Sequence, residues 1–132
     1  MGEFSALGSP ARVTVLPDSL AVSPGDLVWV PFPHVEDNQL RSRPALIVAT
    51  GLAGSLDLCW ALMVTAAANE AWPEDIRIID HGAAGLAIPS SVRTAKVATL
   101  TTATTTRIGR LPEATWHAVR ARLAATLQLE QL

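Results

Sequence analysis

Pro24-Gly25-Asp26-Leu27-Val28-Trp29-Val30-Pro31-Phe32-Pro33 is the stretch whose reading decides the fold. Pro24-Gly25-Asp26 is a turn signal. The branched and aromatic residues that follow favour a strand. Pro31 and Pro33 have no N–H to give to a ladder, so this strand is expected to reach an edge or leave the sheet there. Upstream, residues 1–23 read as a tail. Gly2, Gly8, Pro10 and Pro17 break any long period and leave Val13, Val15 and Leu16 as at most a short extended piece.

Downstream, the polar residues from His34 to Ser42 read as a flexible hairpin loop, and Pro44 to Thr50 as a short apolar strand. A turn over Gly51 to Ser55 leads to a long central strand, Leu56 to Ala66. Asn69 to Glu74 form a loop carrying Trp72. Ile76, Ile78 and Ile79 make a strand with Arg77 alternating, and a glycine-rich connection spans Asp80 to Pro89. Val92 to Leu100 and Thr104 to Gly109 are two further strands, the threonines there being β-branched.

The last element changes period. Pro112 suits the first turn of a helix and Glu113 its positive end. Trp116, Val119, Leu123 and Leu127 then fall on one helical stripe, with Trp116 expected to fix the helix to the sheet. About six short strands closed by one helix give a mainly β chain with a C-terminal helix, built as a barrel or a sandwich. The helix packs on its open side, and residues 24–132 make one domain. Trp29 and Trp60 are expected in the core.

Bulk properties narrow the function. A chain of 132 residues can bury a core without staples. Its 49% hydrophobic content leaves apolar surface for a second copy to cover, so a homodimer is expected. The longest apolar run, Leu58 to Val64, falls far short of the ~20 residues of a membrane helix. No signal-peptide pattern opens the chain. The single cysteine, Cys59, excludes an intramolecular disulfide and reads as a buried small hydrophobe. A cytoplasmic protein without membrane contact is the expectation. A net charge of −2 counts against broad electrostatic capture of nucleic acid, so any RNA contact must be local, through a few arginines in one groove. One cysteine and three scattered histidines lack metal-ligand spacing, and Gly82, Gly85 and Gly109 lack phosphate-loop spacing. No metal or cofactor is expected.

Gly25-Asp26 before an apolar strand ending near Phe32, then a polar loop, then Arg43-Pro44-Ala45-Leu46-Ile47-Val48, resembles the opening of MazF/PemK-like toxins. A third strand ending in Thr65, a late strand carrying Lys96 and a C-terminal helix continue the likeness over roughly residues 24–129. The resemblance implies an SH3-like β-barrel of the MazF/CcdB kind, usually a homodimer. It implies a toxin that cleaves single-stranded RNA at short sequences without a metal and is silenced by a cognate antitoxin. In that family the arginine before the proline and a threonine ending the third strand are the catalytic pair, which match Arg43 and Thr65. Ala66 stands where relatives often carry a second hydroxyl. Thr94 and Ala95 stand where relatives often carry an acid.

The chemistry fits the residue types. Metal-free RNA cleavage uses the neighbouring 2′-OH as nucleophile and needs a fixed cation, a hydrogen-bond donor and groups that move protons. Arg43 offers a permanently charged fork for two phosphate oxygens, and Thr65 a hydroxyl at a strand rim. Arg41 and Lys96 are candidate RNA contacts. His34 opens the loop on the same groove and titrates near neutral pH. Trp72 can stack on a splayed base. His81 and His117 read as loop and helix-surface residues. Two alternatives stand beside this reading. One is a catalytically impaired relative that only binds RNA or antitoxin, favoured by Ala66 and by the missing acid. The other is a CcdB-like toxin gripping gyrase, disfavoured because the chain ends Leu127-Gln128-Leu129-Glu130-Gln131-Leu132 without an aromatic.

Overall fold

The computed structural model describes residues 22–34, 39–55 and 57–129, with the side chains of 32–34 and 39–41 left outside that description. Six strands form one antiparallel sheet: β1 (Asp26–His34), β2 (Gln39–Thr50), β3 (Leu58–Ala66), β4 (Asp75–Arg77), β5 (Ser90–Thr101) and β6 (Thr106–Arg110). Their spatial order is β4-β5-β3-β2-β1-β6. A C-terminal helix, α1 (Glu113–Leu127), follows. Short 3-10 turns at Leu52–Gly54 and Thr102–Thr104 join β2 to β3 and β5 to β6.

The turn that opens β1 needs its glycine. Gly25 has φ +98°, a left-handed conformation that other residues adopt only at a cost. The Arg110 guanidinium also lies against it, within 3.0 Å of where a Cβ would sit. Asp26 is buried and accepts from the Ser23 N–H at 2.9 Å and from Arg110 Nη1 at 3.0 Å, while Arg107 Nε lies 3.5 Å away. The Gly-Asp pair thus ties the start of β1 to the end of β6. Pairing with β6 covers only Asp26 to Trp29, so Pro31 and Pro33 lie where β1 has no neighbour on that side. The expected edge begins there.

The unbroken apolar run of β3 has a simple cause: both faces of the sheet are buried. Leu62 and Val64 join Leu27, Leu46, Val92 and Val119 of α1 in one cluster, with Trp116 and Leu123 packed against it. Cys59 and Ala61 join Val28, Val30, Ala45 and Ile47 in a second cluster on the opposite face, with Val22 and Leu100 partly covering it. Register irregularities at Leu27/Val28, Ile47/Ala49 and Leu62/Met63 add local bends. Among the described residues no pairing joins β4 to β6, so the expected barrel is an incompletely closed one.

Several details differ from expectation. Trp29 and Trp60 are 44% and 45% exposed rather than core. Trp60 is flanked across the sheet by Ala49 and Thr99, and Trp29 by Pro44 and Thr106, neighbours too small to cover an indole. Helix α1 packs on β4 and β5, and its stripe leaves the core before Leu127, which is 61% exposed. Strand pairing runs into the expected loop as far as His34 opposite Gln39, because backbone ladders tolerate polar side chains; residues 35–38 lie outside the described residues. The isoleucine strand is short: Ile78 is buried but Ile79 is exposed beyond its end. Of the expected tail, only Val22 and Ser23 fall among the described residues. No described helix is long and apolar enough to cross a membrane.

Candidate active site

Strand register assembles the site from residues far apart in sequence. The β2–β3 ladder runs Ile47↔Ala61, Leu46↔Leu62 and Ala45↔Met63. Its last pair, Ala45↔Met63, stands two residues from Arg43 on β2 and two residues from Thr65 on β3. Thr65 pairs with Ser91 on β5, and Ser91 pairs with Arg77 on β4. Residues directly opposite share a face, and neighbouring strands lie about 4.8 Å apart. Thr65, Ser91 and Arg77 therefore form a row across three strands, and Arg43 of β2 shares their face. This is the face of the second cluster, beyond Ala45 and Met63.

Arg43 and the row are locally prepared. Pro44 restricts the backbone of Arg43 to extended conformations. Pro44 also lies one residue past the last β2–β3 pair, where the two strands part. Arg43 is exposed and, among the described residues, has no hydrogen-bond or ion-pair partner. The Thr65 hydroxyl oxygen accepts a 2.7 Å hydrogen bond from Asn69 Nδ2. A hydroxyl that accepts there keeps its own proton to donate elsewhere. Ser91 places a hydroxyl-bearing residue directly across from Thr65. The second hydroxyl missing at Ala66 thus has a counterpart on the neighbouring strand.

A second group flanks the row. Arg93 pairs with Met63 on one side and Asp75 on the other. Its guanidinium contacts both Asp75 oxygens, Nε at 3.3 Å and Nη2 at 3.0 Å, and Nη2 also donates to the Glu70 carbonyl at 2.8 Å. The two side chains are only 12% and 9% exposed. Above them lies Trp72, with the Arg93 guanidinium 4.2 Å from its ring centre and the Lys96 ammonium 6.0 Å away. The irregularity at Leu62/Met63, where β5 runs from Arg93 to Val97 against one step of β3, brings Lys96 to the same indole. Asp75 also accepts from the Trp72 N–H at 2.9 Å, and the Thr94 hydroxyl donates to the Glu74 carbonyl at 2.9 Å. Glu74 itself has φ +76°, which costs a non-glycine residue about 1–2 kcal/mol, and pairs with Arg122 of α1.

Among the sequence candidates, Trp72 and Lys96 come together, while Arg43 and Thr65 lie on one face of the sheet, each two residues past the last β2–β3 pair. Arg41 and His34 stand on the extended β1–β2 arm, opposite Phe32 and Gln39 respectively, and their side chains lie outside the described residues. His81 lies in the turn before β5 and His117 is exposed on α1. Cys59 is fully buried, and desolvation pushes its thiol pKa above the ordinary 9.0. Sequence reading missed Asn69, Ser91, Arg77 and the Arg93–Asp75 pair. The only local signal was Arg77 alternating with isoleucines; the rest depends on pairing between distant strands. Among the described residues no group of His, Cys, Asp or Glu gathers at metal-binding distance.

Comparison with known proteins agrees with this architecture. Residues 23–127 match the family model described as PemK-like, MazF-like toxin of type II toxin-antitoxin system. The structure is similar to that of MazF from Deinococcus radiodurans, with 23% identity and a TM-score of 0.61 over 82% of this chain and 97% of that one. It is similar to the MazE-MazF structure from the same organism, with 22% identity and a TM-score of 0.59 over 81% and 95%. A mycobacterial endoribonuclease in complex with its cognate antitoxin matches at 17% identity and a TM-score of 0.61 over 85% and 100%. No curated protein matches by sequence. With the family model spanning nearly all of the folded region, from the turn before β1 to the last residue of α1, the chain belongs to the PemK-like, MazF-like toxins of type II toxin–antitoxin systems.

Proposed function

We propose that this toxin is a sequence-specific endoribonuclease that cleaves single-stranded RNA without a metal. The observation that supports the reading is that Arg43 and Thr65 each lie two residues past the last β2–β3 pair, on one face of the sheet, with the Thr65 hydroxyl oxygen already engaged by Asn69. In the proposed reaction the 2′-OH loses its proton and its oxygen bonds to the adjacent phosphorus. The P–O5′ bond then breaks and the 5′ oxygen takes up a proton, leaving a cyclic phosphate and a 5′-OH end. Arg43 neutralises the charge gathered on the phosphorane oxygens, and Thr65 donates a hydrogen bond to one of them. Arg41, Lys96 and His34 hold the strand, and Trp72 stacks on a base. DNA, without a 2′-OH, is not cut.

Two partners follow from the same reading. A cognate antitoxin would occupy the groove that RNA uses; the similar mycobacterial endoribonuclease forms a complex with its cognate antitoxin. A second copy of the chain would cover exposed apolar residues of the sheet and helix. Light scattering of the purified protein tests the dimer.

The test of function is incubation of antitoxin-free protein with mixed-sequence single-stranded RNA in EDTA, followed by mapping of the ends. Discrete cuts with 5′-OH termini, lost in Arg43→Ala with folding intact, are expected. Cutting that persists in folded Arg43→Ala, or no cutting of a broad RNA library by the folded wild type, would sink the assignment.

A further inference from the structure

Arg93 is held in a way that a phosphate-binding arginine is not. Its charge is matched by Asp75, its fork is occupied by both carboxylate oxygens and by the Glu70 carbonyl, and only 12% of the side chain meets solvent. A nearly buried ion pair is a costly element to keep for stability alone, since desolvation offsets much of the attraction. What the pair does hold is the loop ahead of β4. Asp75 binds the Trp72 N–H, Arg93 binds the Glu70 carbonyl, and the guanidinium lies 4.2 Å from the centre of the Trp72 ring. The loop is fastened a third time by Thr94 at the strained Glu74. Trp72 is nevertheless 41% exposed. One part of the indole is backed by a fixed guanidinium and another part is open to solvent, beside the row that carries Thr65.

We propose that Arg93 and Asp75 set Trp72 as a preformed stacking platform for one unpaired nucleobase of the RNA. This rests on the ribonuclease reading above and names the residues that position one of its base contacts. Arg93 and Asp75 are positioning residues that do not touch the RNA; Trp72 takes the base. Lys96, 6.0 Å from the ring centre on a flexible stem, is placed to reach a phosphate of that nucleotide. A platform fixed before RNA arrives spares the ordering cost of a loop that must close on its ligand.

The experiment uses the full chain and a cleavable RNA oligonucleotide, together with a set carrying 2′-deoxy at the cut and one abasic residue at each position in turn. In the wild type, one abasic position weakens binding about tenfold or more, the scale of one base–aromatic stack. Trp72→Ala weakens binding of the intact RNA by a similar factor and becomes indifferent to that abasic position. Trp72→Phe restores most of the loss. Asp75→Asn and Arg93→Lys reproduce Trp72→Ala, and the Asp75→Asn/Trp72→Ala double variant is no worse than Trp72→Ala. On cleavable RNA these changes raise KM while kcat stays within about twofold. The proposal is overturned if Trp72→Ala keeps the wild-type abasic profile. It is equally overturned if Arg93→Lys, folded by circular dichroism, leaves that profile untouched. A wild type that neither binds nor cuts RNA overturns the ribonuclease reading itself, whereas one that cuts with no single abasic dependence overturns only the platform.

Discussion

The side-chain amide of Asn69 donates a 2.7 Å hydrogen bond to the hydroxyl oxygen of Thr65, four residues earlier and across the turn that ends β3. The bond fixes the hydroxyl rotor, because the oxygen that accepts must turn its own proton away. It therefore prepares Thr65 as a donor at the rim. Asn69→Ala should lower kcat for RNA cleavage about three- to tenfold, the worth of one neutral hydrogen bond, with little change in melting temperature because the site is exposed. Single-turnover cleavage beside a thermal melt checks this, and an unchanged rate would separate Asn69 from the reaction.

Arg77 lies two strands from Thr65 in the same row, about 10 Å away at strand spacing. It is exposed and has no partner among the described residues. That separation suits a phosphate further along a single strand rather than the one being cut. Arg77→Ala should weaken RNA binding several-fold and reduce the log–log salt slope of binding by about 0.7, one phosphate contact on a single strand. Fluorescence anisotropy over a range of salt concentrations measures both quantities.

Gly109 on β6 passes so close to the preceding turn that a Cβ there would fall on the Ala84 carbonyl oxygen. Gly85 in that turn faces Ile108 in the same way, at 2.9 Å from its carbonyl oxygen, and has φ +93°. Gly109→Ala should destabilise the fold by about 1–3 kcal/mol through overpacking, a fall of roughly 4–12 °C in Tm. Calorimetry tests this, and a Tm within a degree of wild type would mean that the turn shifts freely.

Cys59 links stability to alkaline pH. Burial raises its thiol pKa in the folded state above the ordinary 9.0. As pH climbs past the unfolded value, the unfolded chain loses its proton first. The unfolded state then gains relative to the folded one, so stability present below pH 9 declines as pH rises toward the folded pKa, by up to about 1.4 kcal/mol per pH unit. Cys59→Ala should remove this part of the alkaline slope in urea titrations at pH 8, 9 and 10. Equal slopes in the two proteins would count against the assignment.

Local signals explain why so much of the fold could be read in advance. Gly25-Asp26 needs a left-handed turn and a buried carboxylate, and both are present. The apolar run of β3 is what a strand buried on both faces requires. Pro112 and the stripe through Val119 and Leu123 specify the helix. Arg43 and Thr65 were named through the resemblance to MazF/PemK-like toxins at Arg43-Pro44 and at the end of β3, and their roles belong to the proposed function. Arg93, Asp75 and Ser91 were not, because their meaning lies in pairing between residues 14 to 30 positions apart. The irregularity at Leu62/Met63 further resets which β5 residues share a face, and simple alternation along the sequence does not report such a reset.

Along the chain alone one reads the strands, the closing helix and the opening turn. All of these rest on backbone preferences and side-chain periods that act within a few residues. Tertiary structure alone decided the exposure of Trp29 and Trp60, since that depends on how large the neighbours across the sheet are. It also decided the row from Thr65 to Arg77 and the seat of Trp72 on Arg93, because register and a bulge between distant strands determine which side chains meet.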